Sequence, residues 1–210
     1  MATRRRRTPD EAKQLILEAA GELLAAGGPA AVQVRAVAAA VGVSDAAVNH
    51  HFGTREHLLS ALLRFGGRKL TSELRAALDS WTDGPADPAG LVRALSAPYA
   101  DGYAELALAL HQSGWRDTGS GLLDEIVDRL HAQARVACAD TGRTPPTRES
   151  VQLTMAALHQ AVATEPLFGA EFRRSAGLDA DARERTLRWW TGILRATLAG
   201  TDPGPSRRDR

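Results

Sequence analysis

Several side chains that could read DNA bases follow one another at helical spacing just after residue 43. Asn49 could donate to and accept from the edge of an adenine, and Asp45 could accept from the amino group of a cytosine. The methyl of Ala46 or of Ala47 could contact a thymine methyl. Asp45 equally suits the start of a helix, where a carboxylate only stabilises the helix terminus. We predict base contacts by Ser44, Asp45, Ala46, Asn49 and His50.

Groups that could bind phosphate lie on both sides of this segment. Thr54 and Arg55 stand where a helix is predicted to begin, and free N–H groups, the helix dipole and a guanidinium all favour an oxyanion there. Gln33 precedes the first helix and could also donate to a phosphate. Arg4–Arg7 could follow the DNA backbone or enter a minor groove; alternatively, these arginines only make a solubilising tail. We predict phosphate contacts by Gln33, Thr54, Arg55, Arg4, Arg5, Arg6 and Arg7.

The small and apolar residues around these groups are spaced as in two helices that cross at a steep angle. Ala38 is small enough for the helices to touch, and Gly42 tolerates the positive φ of a sharp turn. Val48 would point the inner face of the second helix into a core, and Phe52 closes that helix. The pattern predicts a helix-turn-helix at about residues 33–52.

The rest of the chain also reads as helices, which must position this segment. Apolar residues from Leu15 to Leu24 form one stripe of a first helix, which Gly27-Gly28-Pro29 ends. A long helix is predicted from the N-cap Thr54 toward Ser80. After a break at residues 83–88, further helices are predicted over 89–97, 99–115, 121–140, 147–165 and 179–199. The expected fold class is all-α with about nine helices.

Composition supports a globular protein whose N-terminal third meets a polyanion. Of the 210 residues, 44% are hydrophobic, which is enough for a sizeable core. Residues 1–70 carry ten Lys and Arg against six Asp and Glu, a net charge of +4, whereas the remainder carries −3. This division favours contact with nucleic acid, unless it is a chance split with a solvated tail.

Few features point to redox, membrane or enzyme chemistry. The single cysteine, Cys138, cannot form an intramolecular disulfide and is expected to be a buried thiol of an intracellular protein. Because no run of 18 apolar residues occurs, we expect no membrane contact and a cytoplasmic location. His50, His51 and His57 lack the spacing of a metal set. We expect no catalytic residue, metal or cofactor, since the sequence contains no phosphate-binding glycine loop and no Ser/His/Asp constellation.

From about Asp10 to Leu63, about a quarter of the chain, the sequence resembles the N-terminal domain of TetR-family repressors. The matching residues are Gly42-Val43-Ser44, Val48, His51-Phe52-Gly53, Thr54-Arg55-Glu56 and Leu58-Leu59. The chain departs from the family pattern at Gln33, where Thr is usual, at Asn49, where Tyr is frequent, and at Arg55, where Lys is frequent. The resemblance adds His51 to the expected phosphate contacts.

The composition of the two ends predicts a disordered basic arm over 1–8 and a tail over 201–210. The resemblance implies a DNA-binding domain over 9–69 and an effector-binding and dimerisation domain over 70–200. A ligand cavity is implied among the C-terminal helices, although side chains at such helical spacing more often belong to plain core. The candidates are Tyr99, Tyr103, His111, Trp115, Met155, His159 and Phe168.

A dimer contact is implied on the last two long helices, again with the protomer's own core as the alternative. Its candidates are Leu158, Val162, Trp189, Trp190, Ile193 and Leu194. The expected partners are therefore double-stranded DNA, a second copy of the chain and a small hydrophobic effector that releases a repressor from a palindromic operator. The alternatives are a DNA-binding regulator without a small-molecule effector and, less favoured, a small all-α carrier or enzyme.

Overall fold

A computed structural model describes residues 8–81, 86–116, 121–179 and 181–200, and all regular structure in these ranges is helical. The predicted arm Arg4–Arg7 and the tail 201–210 lie outside the described residues. The helices are α1 (Pro9–Ala31), α2 (Val34–Val41), α3 (Asp45–Phe52), α4 (Arg55–Asp79), α5 (Pro88–Pro98), α6 (Ala104–Gln112), α7 (Asp124–Asp140), α8 (Arg148–Ser175) and α9 (Arg183–Leu198), and a π turn, Tyr99–Tyr103, joins α5 to α6. The all-α expectation is confirmed.

The described residues divide into two compact units. The first contains those of Met1–Arg68 and Ala100–Asp117, and the second contains those of Lys69–Tyr99 and Thr118–Arg210. The sequence predicted a boundary between residues 69 and 70, also within α4. It assigned α6 to the C-terminal domain, however, whereas the structure groups α6 with the N-terminal helices.

The first unit is built around the apolar stripe of α1. This stripe packs with residues of α2, α3, α4 and α6 into one apolar cluster. The largest fully buried side chains of this cluster include Ile16, Leu24, Leu58, Leu62 and Leu106. A capping box between Thr8 and Glu11 starts α1. Its regular geometry breaks at Gly27 and Gly28, where φ is −153° and 66°, directly before Pro29. α1 therefore has a kink where the sequence predicted its end, and its last helical residues, Pro29–Ala31, follow the kink.

The entry into α6 depends on glycines that allow unusually close contacts within the first unit. A Cβ at Gly66 would lie 2.1 Å from Cε1 of Tyr103, and a Cβ at Gly102 would lie 2.9 Å from the carbonyl oxygen of Leu24. Gly102 also has a φ of 90°, which disfavours other residues. The Tyr103 ring thus rests directly on the backbone of α4.

The second unit encloses its own core. The second half of α4 contributes leucines at i, i+4 and i+8, which pack against residues of α5, α7, α8 and α9. Its largest fully buried side chains are Leu74, Leu78, Leu91, Leu95, Ile126, Leu130 and Met155. Within the described residues, no helix has the length and apolar character needed to cross a membrane.

α8 continues ten residues beyond the predicted end at Glu165, through Pro166 to Ser175. A proline inside a helix removes one backbone hydrogen bond, which is why the sequence predicted an end there. The structure compensates with an ion pair between Glu165 and Arg173, whose side chains are only 13% and 9% exposed. Glu165 reaches its partner across Gly169, where a Cβ would lie 2.2 Å from the carboxylate. The pair therefore joins the two sides of the proline.

The contact between Gly66 and Tyr103 predicts an unfavourable effect of Gly66→Ala. Alanine is ordinarily the better helix former by about 1 kcal/mol. Here the added methyl would overlap the ring, and such overpacking costs about 1–3 kcal/mol. We expect a lower free energy of unfolding in urea. Adding Tyr103→Ala should remove the penalty of the first substitution, whereas a Gly66→Ala variant more stable than the parent would contradict the packing described.

Candidate functional site

The turn between α2 and α3 has the predicted geometry. Gly42 adopts φ 73° and ψ 39°, the left-handed region. The N–H of Val43 donates to the carbonyl of Ala38 at 3.0 Å, which ends α2. Ala38 and Val48 are buried where the two helices meet. The helix-turn-helix inferred from these residues is present.

The outer face of α3 carries the residues predicted to contact bases. Asp45, Ala46, Asn49 and His50 are all exposed and lie on one face, at positions i, i+1, i+4 and i+5 of the helix. Ser44 has a second role, because its Oγ accepts from the N–H of Ala47 at 3.2 Å and caps the helix. The structure therefore brings together the residues of this prediction, and their contacts with bases stay a prediction.

The end of α3 joins this face to the core. Phe52 is half-buried and packs against the core of the first unit. The half-buried ring of His51 lies edge-on to His50 and to Phe52, with centroids 5.5 Å and 6.5 Å apart. His51 is thus held between the exposed face and the core, and its phosphate contact stays a prediction.

The start of α4 already holds a carboxylate of its own. Thr54 is exposed, and its Oγ1 accepts from the N–H of His57 at 3.3 Å. Hydrogen bonds from the backbone N–H of Glu56 and from the side chain of Thr54 lower the pKa of the Glu56 carboxyl. A phosphate approaching these N–H groups would meet that negative charge. The phosphate contact of Thr54 stays a prediction, and it would have to compete with this carboxylate.

The Arg55 side chain points to the end of α1. Its Nε donates to the carbonyl of Val32 at 2.8 Å, and its Nη2 donates to the carbonyl of Pro29 at 2.5 Å. Gln33 is exposed, and its amide donates to the carbonyl of Ala30 at 2.9 Å. Sequence reasoning missed the role of Arg55, because its partners lie 23 and 26 residues earlier in the chain.

The residues predicted to line one ligand cavity fall into two units. Tyr103 and Trp115 pack against the core of the first unit, and His111 is exposed in that unit. The others belong to the second unit: Tyr99, Met155, His159 and Phe168. Met155 is buried in its core, whereas Phe168 is exposed beside Phe172. The seven residues are therefore not members of one packed cluster.

Tyr99 and His159 form a polar pair inside the second unit. The Tyr99 hydroxyl and Nε2 of His159 are joined by a hydrogen bond. Burial raises the pKa of Tyr99 to about 12 and lowers the pKa of His159 below its ordinary 6.5. Both groups are consequently uncharged at neutral pH. Among the residues predicted to line the cavity, Tyr99 and His159 are therefore two that contact each other through polar groups.

The predicted dimer residues divide between core and surface. Leu158, Val162 and Leu194 are buried in the core of the second unit, which is the alternative to a dimer contact. Trp190 and Ile193 are half-buried. Trp189 is 60% exposed, as the prediction requires.

Other apolar side chains at the surface were missed. Phe172 is 61% exposed and lies four residues after the exposed Phe168 on α8. That i, i+4 spacing was visible in the sequence, but it was not recognised because the helix was predicted to end at Glu165.

Within the described ranges, no group of three or more His, Cys, Asp and Glu could hold a metal ion.

The N-terminal region matches a known family. Residues 16–62 match the model of bacterial regulatory proteins, tetR family. A 78-residue segment is 42% identical to the HTH-type transcriptional repressor Rv3405c of Mycobacterium tuberculosis and, equally, to the HTH-type transcriptional regulator Mb3439c of Mycobacterium bovis. This segment covers 36% of the chain and only 42% of each relative.

Solved structures extend the similarity over nearly the whole chain at the level of fold. The regulatory protein SCO4313 aligns with a TM-score of 0.54 and 24% identity, over 91% of this chain and 98% of its own. The fatty acid degradation regulator FadR of Bacillus halodurans aligns with a TM-score of 0.50 and 18% identity, over 92% of this chain and 97% of its own. At these identities the comparison shows a shared fold alone.

The buried Tyr99–His159 pair predicts a characteristic dependence of stability on pH. Unfolded His159 takes up a proton below about pH 6.5, whereas the folded imidazole resists it, so the free energy of unfolding should fall as the pH drops below 6.5. Unfolded Tyr99 loses its proton near pH 10 and the folded phenol near 12, so stability should also fall above pH 10.

Urea unfolding of the parent, His159→Gln and Tyr99→Phe across this pH range tests the expectation. Each variant should flatten only its own limb, because glutamine and phenylalanine do not titrate. An acidic limb that is identical in the parent and in His159→Gln would show that the imidazole is not shielded from protons.

Proposed function

Since residues 16–62 match the tetR family of bacterial regulatory proteins, we propose that the chain is a member of that family and a sequence-specific DNA-binding regulator of transcription. In this proposal it is a homodimeric repressor of a palindromic operator and works in the cytoplasm, where the chromosome lies. The family is one of regulators and not of enzymes.

One observation carries the proposal: a capped helix presents its polar face to solvent at the end of a helix-turn-helix. A helix placed in the major groove can read bases only with side chains that the protein's own core leaves free. Asp45, Asn49 and His50 meet that requirement, while Val48 on the opposite face anchors the helix. The net charge of +4 over residues 1–70 favours the approach to DNA.

The proposed dimer would use exposed apolar side chains of the second unit. Trp189 on α9 and Phe172 on α8 are more than half exposed, and large aromatic side chains are typical of the centres of protein interfaces. Two copies would place two α3 helices about 34 Å apart, one turn of DNA, on the halves of a palindrome. We therefore propose that Trp189 and Phe172 contact the second copy.

A small hydrophobic effector is proposed to bind in the second unit and to favour a conformer that does not fit the operator. Tyr99 and His159 support the idea, because their uncharged pair offers polar contacts within an apolar surround. The alternative is a regulator that answers to a protein partner. A thermal-shift screen with hydrophobic compounds separates the two alternatives, since a ligand that binds the folded state raises the midpoint.

Selection of binding sites from random duplex DNA tests the proposed function. We expect the selected site to be an inverted repeat, because a symmetric dimer presents the same helix to each half. Asn49→Ala should relax the preference at one base position in each half, at a cost of about 1–3 kcal/mol. Lys13→Ala, an exposed change on α1, serves as the control. Failure to enrich any sequence would exclude sequence-specific binding.

The proposed dimer surface is tested by Trp189→Ser together with Phe172→Ser. We expect sedimentation to show a shift from dimer toward monomer, because each exposed ring would lose its contact in the partner copy. Leu153→Ser, which changes another exposed apolar residue of α8, is the matched control. Unchanged dimers in the double variant would place the interface elsewhere on the molecule.

A further inference from the structure

We propose that Arg55 is a positioning residue that holds the chain entering α2 against the start of α4, and that it does not contact phosphate. The inference rests on the proposed binding of DNA. The observation behind it is that Nε and Nη2, which lie on one edge of the guanidinium, donate to two backbone carbonyls between the kink in α1 and the start of α2. Their acceptors are the carbonyls of Val32 and Pro29.

The carbonyl of Val32 is where a donor is needed, whereas that of Pro29 also accepts from the N–H of Val32 at 3.3 Å. α1 loses its helical geometry at Gly27 and Gly28, so the carbonyls that follow are no longer paired along a regular helix. Val32 is completely buried, and a buried carbonyl requires a hydrogen-bond partner. A positive charge is also favoured at the end of α1, where the helix dipole is negative. Arg55 supplies both a donor to the buried Val32 carbonyl and a positive charge at the end of α1.

The position of this segment decides where α3 lies within the first unit. α2 begins two residues after Val32, and the turn at Gly42 fixes α3 relative to α2. Any displacement at Val32 is therefore passed through eight residues of α2 to the exposed face that carries Asn49. Arg55 thus acts on base reading through α2 and α3, without facing the bases itself.

A lysine would not reproduce the arrangement. The guanidinium makes two parallel hydrogen bonds from a planar fork, whereas an ammonium is a single point charge on a flexible stem. Arg55→Lys keeps the charge and removes the fork, while Arg55→Met removes both. These two variants separate the role of the charge from the role of the geometry.

The experiment measures the affinity of the full chain for its selected site and for an unrelated duplex, by fluorescence anisotropy at several salt concentrations. Arg135→Met, an exposed arginine on α7, is the matched control. We expect Arg55→Lys and Arg55→Met both to weaken binding to the selected site by about tenfold, as the loss of a charge-assisted hydrogen bond would. Affinity for the unrelated duplex and the slope of log affinity against log salt should stay unchanged.

A second measurement follows the positioning directly in the absence of DNA. Amide hydrogen exchange over α2 and α3 should be faster in Arg55→Lys than in the parent, while exchange in α7 stays the same. Circular dichroism of the lysine variant verifies that the helices are retained. Unaltered exchange over α2 and α3 would overturn the proposal.

Two other outcomes would also overturn the proposal, and a third would instead overturn the proposed function on which it rests. If Arg55→Lys binds like the parent and Arg55→Met lowers the salt slope by about one, Arg55 contacts a phosphate. If the variants only lower the thermal midpoint and bind both duplexes normally, Arg55 merely stabilises the fold. If the parent and Arg135→Met themselves show no preferred sequence, it is the proposed function that has failed.

Discussion

The packing of α2 on α3 is the contact on which the exposed face of the first unit depends. Each helix has only eight residues, and isolated helices shorter than about 12–15 residues are marginal in water. Their helical state therefore comes from burial of Val37, Ala38 and Val48, with Gly42 supplying the left-handed turn between them. A bulkier residue at position 38 would separate the helices and move every side chain that faces outward.

Local signals were sufficient to predict this part of the structure from the sequence. Helix ends are decided by caps and turns within four residues, so Ser44 and Gly42 gave α2 and α3 their observed bounds. The same rule was wrong at Pro166, where the helix continues. A proline indicates only that one backbone hydrogen bond is lost. The ion pair across it joins Glu165 to Arg173, eight residues later, and depends on the space that Gly169 leaves between them.

Contacts between distant parts of the chain could not be predicted in this way. The residue type of Arg55 suggested an anion, but its partners are carbonyls that follow the break in α1. Helical spacing likewise marked Leu158 and Leu194 as apolar without telling which surface they cover, and both proved to be core. Such choices are made by tertiary packing, which a pattern on one helix does not contain.

The first unit is assembled from two stretches of chain, and this limits how the protein could be cut and recombined. Leu106 and Leu110 of α6 belong to the same apolar cluster as Leu24 of α1, although α5 lies between them in the sequence. A fragment that stops within α4 would expose to water the apolar surface that α6 covers. A hybrid made by grafting these N-terminal helices onto an unrelated helical domain would therefore have to bring residues 100–116 with them, or supply an equivalent helix to protect the graft from aggregation.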